Sequence, residues 1–179
     1  MQTMNRVFLG LGSNRGDREQ FLRQAVSDLQ KGISDMAIVG ISDVYETQAV
    51  GEIKQNHFFN AVVEVKTHLT VPALWEVAEK VESQAGREPK ALRQRWGPRT
   101  LDIDILFYGN QVVQEAQGMI IPHPRAWERW FVIKPMCDLD EMFCHPLLGV
   151  TMKQRLVQIE KEHPELIGKK VQGVWNVQK

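Results

Sequence analysis

The sequence predicts an α+β domain, most simply a twisted antiparallel sheet with helices on one face. Three observations lead there: alternating apolar runs at strand length, two helical stretches between them, and Gly- or Pro-marked breaks at their ends. The order is strand, helix, strand, strand, helix, strand, followed by C-terminal additions.

Val7 to Leu11 is a short buried strand, closed by the turn-forming run Gly12 to Gly16. Asp17 caps a helix, with Gln20 at the capping-box position. Phe21, Leu22, Ala25, Val26 and Leu29 recur at helical spacing before Gly32. Met36 to Tyr45 and Phe58 to Val65 are strands, separated by a polar loop from Thr47 to His57. Thr70 or Val71-Pro72 opens a second helix with Leu74, Val77, Ala78 and Val81 on one face, and Gly86 ends it. Residues 86–99 form a loop, Thr100 to Tyr108 a strand, and Gly109-Asn110 a turn. Beyond them lie a proline-bounded stretch, a short helix over about 126–134, a helix over about 152–162, and a Lys/Gln-rich tail.

At 179 residues, the chain is expected to form one domain, 1–179, able to bury a sizeable core. Its 22 basic residues balance 22 acidic ones, which argues against a surface given over to nucleic acid or anionic lipid. Cys137 and Cys144 fit neither a disulfide framework nor a CxxC pattern. No stretch has the hydrophobic length of a signal peptide or a membrane span, so a cytoplasmic protein is expected, with no membrane and no nucleic-acid partner.

The charge is concentrated. Residues 86–99 hold Arg87, Lys90, Arg93, Arg95 and Arg99 against the single acid Glu88. Subtracting them from the balanced total leaves 17 basic and 21 acidic residues, so one positive loop faces a mildly acidic remainder. Arginine forks bind phosphate oxygens in pairs. A solvated basic loop is the bland alternative, but this one runs into Thr100-Leu-Asp-Ile-Asp-Ile105. On a strand Asp102 and Asp104 share a face, roughly 6.6 Å apart along its axis. Two like carboxylates repel unless cations sit between them, and a pair of divalent ions about 3.5–4 Å apart suits that spacing. Mg²⁺ prefers a few carboxylates together with phosphate oxygens and water. The combination describes a site for a metal-bound polyphosphate. His123 between two prolines, Phe58, Phe131 and mid-strand Asn60 are each compatible with plain structural roles.

Arg95-Trp-Gly-Pro-Arg-Thr-Leu-Asp-Ile-Asp-Ile105 closely resembles the signature of the 6-hydroxymethyl-7,8-dihydropterin pyrophosphokinase family. Leu11-Gly-Ser-Asn14, Tyr45-Glu-Thr47, Phe58-Phe-Asn-Ala61 and Ile121-Pro-His-Pro-Arg125 are similar to its other motifs, in order. The resemblance covers about residues 6–160 and leaves out the tail after about 163. It implies a ferredoxin-like fold and transfer of pyrophosphate from ATP to the hydroxymethyl group of the pterin, giving AMP and the pterin diphosphate in folate biosynthesis. It implies two Mg²⁺ ions on Asp102 and Asp104, ATP as co-substrate, and a monomer. By the same resemblance Arg87 and Arg99 join the two aspartates as catalytic residues. Trp75, Glu79, Glu82, Arg87, Arg93, Arg95, Trp96, Arg99, Ile105 and His123 would meet ATP. Thr47, Gln48, Val50, Phe58, Asn60, Trp96, Arg129 and Phe131 would meet the pterin, with the two phenylalanines stacking on the ring. Gln48-Ala49 stands where some members have two prolines, and Pro124 where some have an aromatic. The alternatives are a non-catalytic nucleotide- or pterin-binding module and a single-stranded nucleic-acid binder.

Overall fold

The computed structural model describes residues 4–31, 34–49, 54–89, 92, 97–114 and 118–175. The polar loop, the basic loop and the chain ends therefore enter only in part. Val50, Lys90, Arg93, Arg95 and Trp96 lie outside the described residues.

β1 (Asn5–Ser13) is central, with β5 (Asp102–Tyr108) antiparallel on one side and β4 (Phe58–Thr67) on the other. The expected strand from Met36 to Tyr45 is two, β2 (Met36–Ile41) and β3 (Val44–Thr47), which pair with successive halves of β4. Ser42 makes the break. Its N–H donates to the Val62 carbonyl, and its hydroxyl accepts from the Val62 N–H at 2.8 Å, so a side chain stands in for the ladder.

Alternation splits the sheet into two faces. Val7, Leu9 and Leu11 of β1, Val63 and Val65 of β4, and Ile103 and Ile105 of β5 face one way. They pack on Leu22, Ala25 and Leu29 of α1 (Arg18–Gln30) and on Leu74, Ala78 and Val81 of α2 (Val71–Gln84). Both helices start as their sequences require. Asp17 accepts from the Gln20 N–H, and Thr70 accepts from the Ala73 N–H with proline in the first turn. Gly86 has φ +76°, the left-handed geometry that suits glycine just past a helix end.

The opposite face is covered over only part of its length. Phe8, Val62, Leu106 and Phe107 pack under α3 (Trp130–Asp140) and Met152 of α4 (Met152–Glu162). A register shift after Phe8 turns both Leu106 and Phe107 toward these helices. The expectation of helices on one face thus describes α1 and α2, and the C-terminal additions supply a third layer. α3 also differs from the short helix expected over 126–134. A 3-10 turn at Ala126–Glu128 precedes it, and it continues through the buried Pro135 to Asp140. α4 begins on a complete Thr151–Gln154 capping box. β6 (Val113–Gln114) and β7 (Ile120–Ile121) form a small separate ribbon.

The tail is part of the fold. β8 (Lys169–Val171) pairs with β3 and closes that edge of the six-stranded sheet. Beyond it Val174 is buried, and the Trp175 indole N–H donates to the Ser42 carbonyl at 2.7 Å. No helix among the described residues is long and apolar enough to cross a membrane.

The chain's two tyrosines, Tyr45 and Tyr108, are both buried at core edges. Burial pushes the Tyr45 phenol up to about 12, with Lys134 opposing and Asp138 adding to the rise. Burial also raises Tyr108, whose hydroxyl donates to the Leu69 carbonyl at 2.7 Å. A phenol that holds its proton more tightly when folded contributes stability below its unfolded pKa of about 10, lost as pH rises through the folded value. Spectrophotometric titration of the native protein should show no tyrosinate step near pH 10, and the step should return in urea. A normal step in the folded protein would contradict the packing described.

Candidate active site

The uncovered part of the second sheet face carries the polar residues. Strand pairing sets Asp102 beside Gly12, Gly12 beside Asn60, and Asn60 beside Tyr45 in one row; Asp104 sits beside Gly10 in the next. Asp102 and Asn60 are two strand spacings apart, about 10 Å. Between them Gly12 leaves a floor without a side chain, whereas Gly10 in the next row is covered by Leu106. A Cβ at Gly12 would lie 3.3 Å from Asn60 Oδ1, 3.7 Å from Phe58 and 3.9 Å from the Asp102 Cβ. A side chain there would enter the space between the carboxylates and the amide.

Asp102 is held by two arginines. Arg87 Nη1 reaches Oδ1 at 2.5 Å, and Arg99 Nη1 bonds Oδ2. Burial alone would push this carboxyl up, but the Arg99 and Arg87 guanidiniums outweigh it and hold it below the usual range. Asp104 has no such clamp. Its nearest described cations are Arg129 Nη1 at 3.6 Å and, when protonated, His123 Nε2 at 3.8 Å. Burial and the neighbouring Asp102 charge push its carboxyl up to about 6.

The clamp arginines are themselves fixed from behind. Glu82, near the end of α2, ion-pairs with Arg87 and accepts from the Ile103 N–H at 2.7 Å. It is buried at 4% exposure, so although expected beside the nucleotide it stands behind Arg87 as a support. Asn14 does the same for Arg99. Its Oδ1 accepts from the Arg99 N–H at 2.7 Å, and its own N–H donates to the Arg99 carbonyl at 3.0 Å. Its Nδ2 donates to Gln55 Oε1 and the Asn56 carbonyl, which ties the loop before β4 to the start of β5.

Two cavities flank the carboxylates. One is lined by Trp75, Asp104, Ile105, His123 and Pro124, among others. Trp75, Glu79 and Glu82 follow one another along the same side of α2, since residues three and four apart share a helix face. Burial, with Arg129 and Arg125, lowers His123 to about 4, so the imidazole is neutral at pH 7. Its Nδ1 accepts from the Arg125 N–H at 3.2 Å, which leaves the ring proton on Nε2, facing Asp104. The other cavity is lined by Arg15, Gly86, Arg87, Glu88, Gly97, Pro98, Arg99 and Thr100. Arg87 Nε and Thr100 Oγ1, two of its lining groups, are buried without a hydrogen-bond partner.

On the far side of Gly12, Asn60 is buried and its Nδ2 donates to Thr47 Oγ1 at 2.8 Å. Phe58 is half-buried on β4, and Phe131 half-buried in the first turn of α3, with Arg129 5.4 Å from the Phe131 ring centre. Gln48 is exposed at the end of β3. Of the predicted residues that are described, Asp102, Asp104, Thr47, Asn60, Phe58, Arg129 and Phe131 gather on the open face. Trp75 and Ile105, from the α2 side, line one cavity with Asp104, Glu79 stands on α2, and Glu82 is set behind Arg87. Sequence reasoning missed Gly12, Asn14 and Arg15 as members of the site. Their signal is the Leu11-to-Gly16 run itself, a turn by composition and, as Leu11-Gly-Ser-Asn14, a motif like the family's, but with no site role assigned to its residues.

The chain is similar to known proteins along most of its length. The family model for 7,8-dihydro-6-hydroxymethylpterin-pyrophosphokinase matches residues 8–141. The chain is 41% identical over 158 residues to the 2-amino-4-hydroxy-6-hydroxymethyldihydropteridine pyrophosphokinase of Bacillus subtilis (strain 168), covering 88% of this chain and 92% of that one. It is 42% identical over 167 residues to the bifunctional protein FolKE of Lactococcus lactis subsp. cremoris (strain MG1363), covering 89% of this chain but 46% of that relative. Plasmodium falciparum HPPK-DHPS shares the fold with TM-score 0.70 at 16% identity, over 95% of this chain and 45% of that one. The chain thus spans nearly all of the first relative and under half of the other two.

Replacing Glu82 with Ala should leave the Ile103 N–H and one side of Arg87 without an acceptor, at a cost of ~1.5–3 kcal/mol. Urea denaturation should show that loss. Glu82→Gln keeps an oxygen for Ile103 and should lose less; equal losses would mean that the carboxylate has no supporting role. By the match over residues 8–141 and the identity along most of its length, the chain belongs to the 7,8-dihydro-6-hydroxymethylpterin-pyrophosphokinase family.

Proposed function

We propose that the protein transfers pyrophosphate from ATP to the hydroxymethyl oxygen of 6-hydroxymethyl-7,8-dihydropterin, releasing AMP and the pterin diphosphate in folate biosynthesis. The observation that carries this reading is the row from Asp102 across Gly12 to Asn60, which sets a charge-handling half beside an amide-bearing half on one open sheet face.

Among the described residues no group of three or more His, Cys, Asp or Glu could hold a metal ion by itself. The donor set fits Mg²⁺ all the same, because that ion takes one or two carboxylates and completes its shell with phosphate oxygens and water. The raised Asp104 carboxyl marks a group that favours a cation beside it. Asp102 and Asp104 are the residues that would hold two Mg²⁺, which when bound neutralise phosphate charge and lower the pKa of the attacking alcohol.

The chain's own residues supply the rest. Arg87 and Arg99 offer forked donors to phosphate oxygens, and Arg87 Nε is already without a protein acceptor. Neutral His123 presents an N–H without adding charge. Trp75, Glu79 and Ile105 bound the nucleotide side, and Arg93 and Arg95 extend the cationic loop. Asn60 and Thr47 read the pterin edge, Phe58 and Phe131 stack on its ring, and Gln48, Val50 and Arg129 add contacts. Trp96 closes over both substrates, where exclusion of water prevents hydrolysis of ATP. One domain acting as a monomer in the cytoplasm completes the reading; Cys137 and Cys144 are unpaired thiols, as in a reducing compartment. A binding module without turnover would lack a metal carboxylate or a clamp arginine, and Asp102, Asp104, Arg87 and Arg99 are all present.

AMP release should require ATP, Mg²⁺ and the hydroxymethylpterin together. Asp102→Ala and Asp104→Ala should each lower kcat/KM roughly a thousandfold, equivalent to several kcal/mol of lost charge stabilisation. Undiminished AMP formation by the double variant would refute the mechanism.

A further inference from the structure

The C-terminal segment lies beyond the matched residues 8–141, yet it pairs with β3 from Val44 to Glu46. Val44 pairs with Val171, Tyr45 with Lys170 and Glu46 with Lys169. The next position along the tail is Gly168. A Cβ there would lie 2.5 Å from the Glu46 carbonyl oxygen, 2.6 Å from Thr47 Cγ2 and 3.1 Å from Trp130 Cζ3. By contrast, a Cβ at Gly86, Gly109, Gly118 or Gly149 would meet nothing within 4 Å. Those four need glycine for a positive φ, whereas position 168 needs it for room.

What Gly168 touches is specific. Thr47 fixes the Asn60 amide by accepting from its Nδ2, which leaves Oδ1 on the side of the Gly12 floor. Trp130 precedes Phe131 in the first turn of α3 and packs edge-on against Tyr45, ring centres 5.4 Å apart. Leu166 joins the Tyr45, Trp130 and Ile159 cluster from the tail side. The far end is anchored separately by Trp175 on the Ser42 carbonyl and by Arg23 on the Val174 carbonyl.

We propose that the C-terminal strand, through the close approach of Gly168, is a positioning wall for the pterin subsite, setting Thr47 with its bonded Asn60 on one side and the Trp130–Phe131 turn on the other. Gly168 touches no substrate and acts through these residues. The inference rests on the reading of Asn60, Thr47 and Phe131 as the pterin subsite.

The test is steady-state kinetics of full-length Gly168→Ala with both substrates, beside a thermal melt. The pterin KM should rise about tenfold, the equivalent of one lost hydrogen bond, while kcat and the ATP KM stay within about twofold. A folded variant with an unchanged pterin KM would overturn the proposal, as would an equal loss for both substrates. Should Gly168→Ala fail to fold, Trp175→Ala releases the anchor without adding atoms near Thr47. It should raise the pterin KM with kcat retained, and a protease-accessible tail with a normal pterin KM would overturn the proposal. Asn60→Ala separates the two levels. If it leaves the pterin KM unchanged, the subsite reading itself is wrong; if it raises KM while Gly168→Ala does not, only the role of the tail falls.

Discussion

The fold is organised around one half-buried carboxylate. Asp102 stands at the first position of β5, where burial disfavours its charge, and it stays ionised because Arg87 and Arg99 grip both its oxygens. Each arginine must in turn be held. Glu82 fixes Arg87 and the β5 backbone together, so the end of α2 is registered against the strand it packs on. Asn14 fixes the Arg99 backbone from the end of β1 and reaches the loop before β4. A single electrostatic requirement therefore ties α2, β1, β5 and two loops to one point.

The same arrangement makes the two aspartates unequal. Asp102 is neutralised within the protein, while Asp104, two residues on and on the same face, is left with a raised carboxyl beside a neutral imidazole. That asymmetry is a physical reason for a cation and a polyphosphate to settle on this side of the sheet. The glycine floor then governs what else fits. Gly12 keeps the space between Asp102 and Asn60 free of a side chain, while Gly10 makes room for Leu106, so a flat heterocycle over Asn60 and a phosphate chain over the aspartates can approach one another.

Much of this was legible in the residues. Alternation in β1, β4 and β5, Asp17 and Thr70 as caps, and Gly86 as a stop are local signals, and the structure follows them. The Asp102–Asp104 pair and the arginines flanking it were readable because period 2 and charge are properties of adjacent residues. What was missed depends on distant partners. Ser42 splits one apolar run into two strands only because the Val62 N–H is there to donate to its hydroxyl. The polar tail looks like solvated chain until β3 offers it an open edge and Ser42 accepts the Trp175 N–H. The resemblance sets Glu82 beside the nucleotide, and only the position of Arg87 shows it as a support. Asn14 looks like a turn residue until Arg99 is brought beside it across the sheet.

Pyrophosphate transfer at this site requires the two halves of the open face to act together on one pair of substrates. A crystal structure with a non-hydrolysable ATP analogue, Mg²⁺ and the hydroxymethylpterin tests that most directly. Two metal peaks beside Asp102 and Asp104, phosphates on Arg87 and Arg99, and the ring between Phe58 and Phe131 with its edge on Asn60 are the predicted result. A nucleotide bound away from the two aspartates, or a pterin away from Asn60, would contradict it.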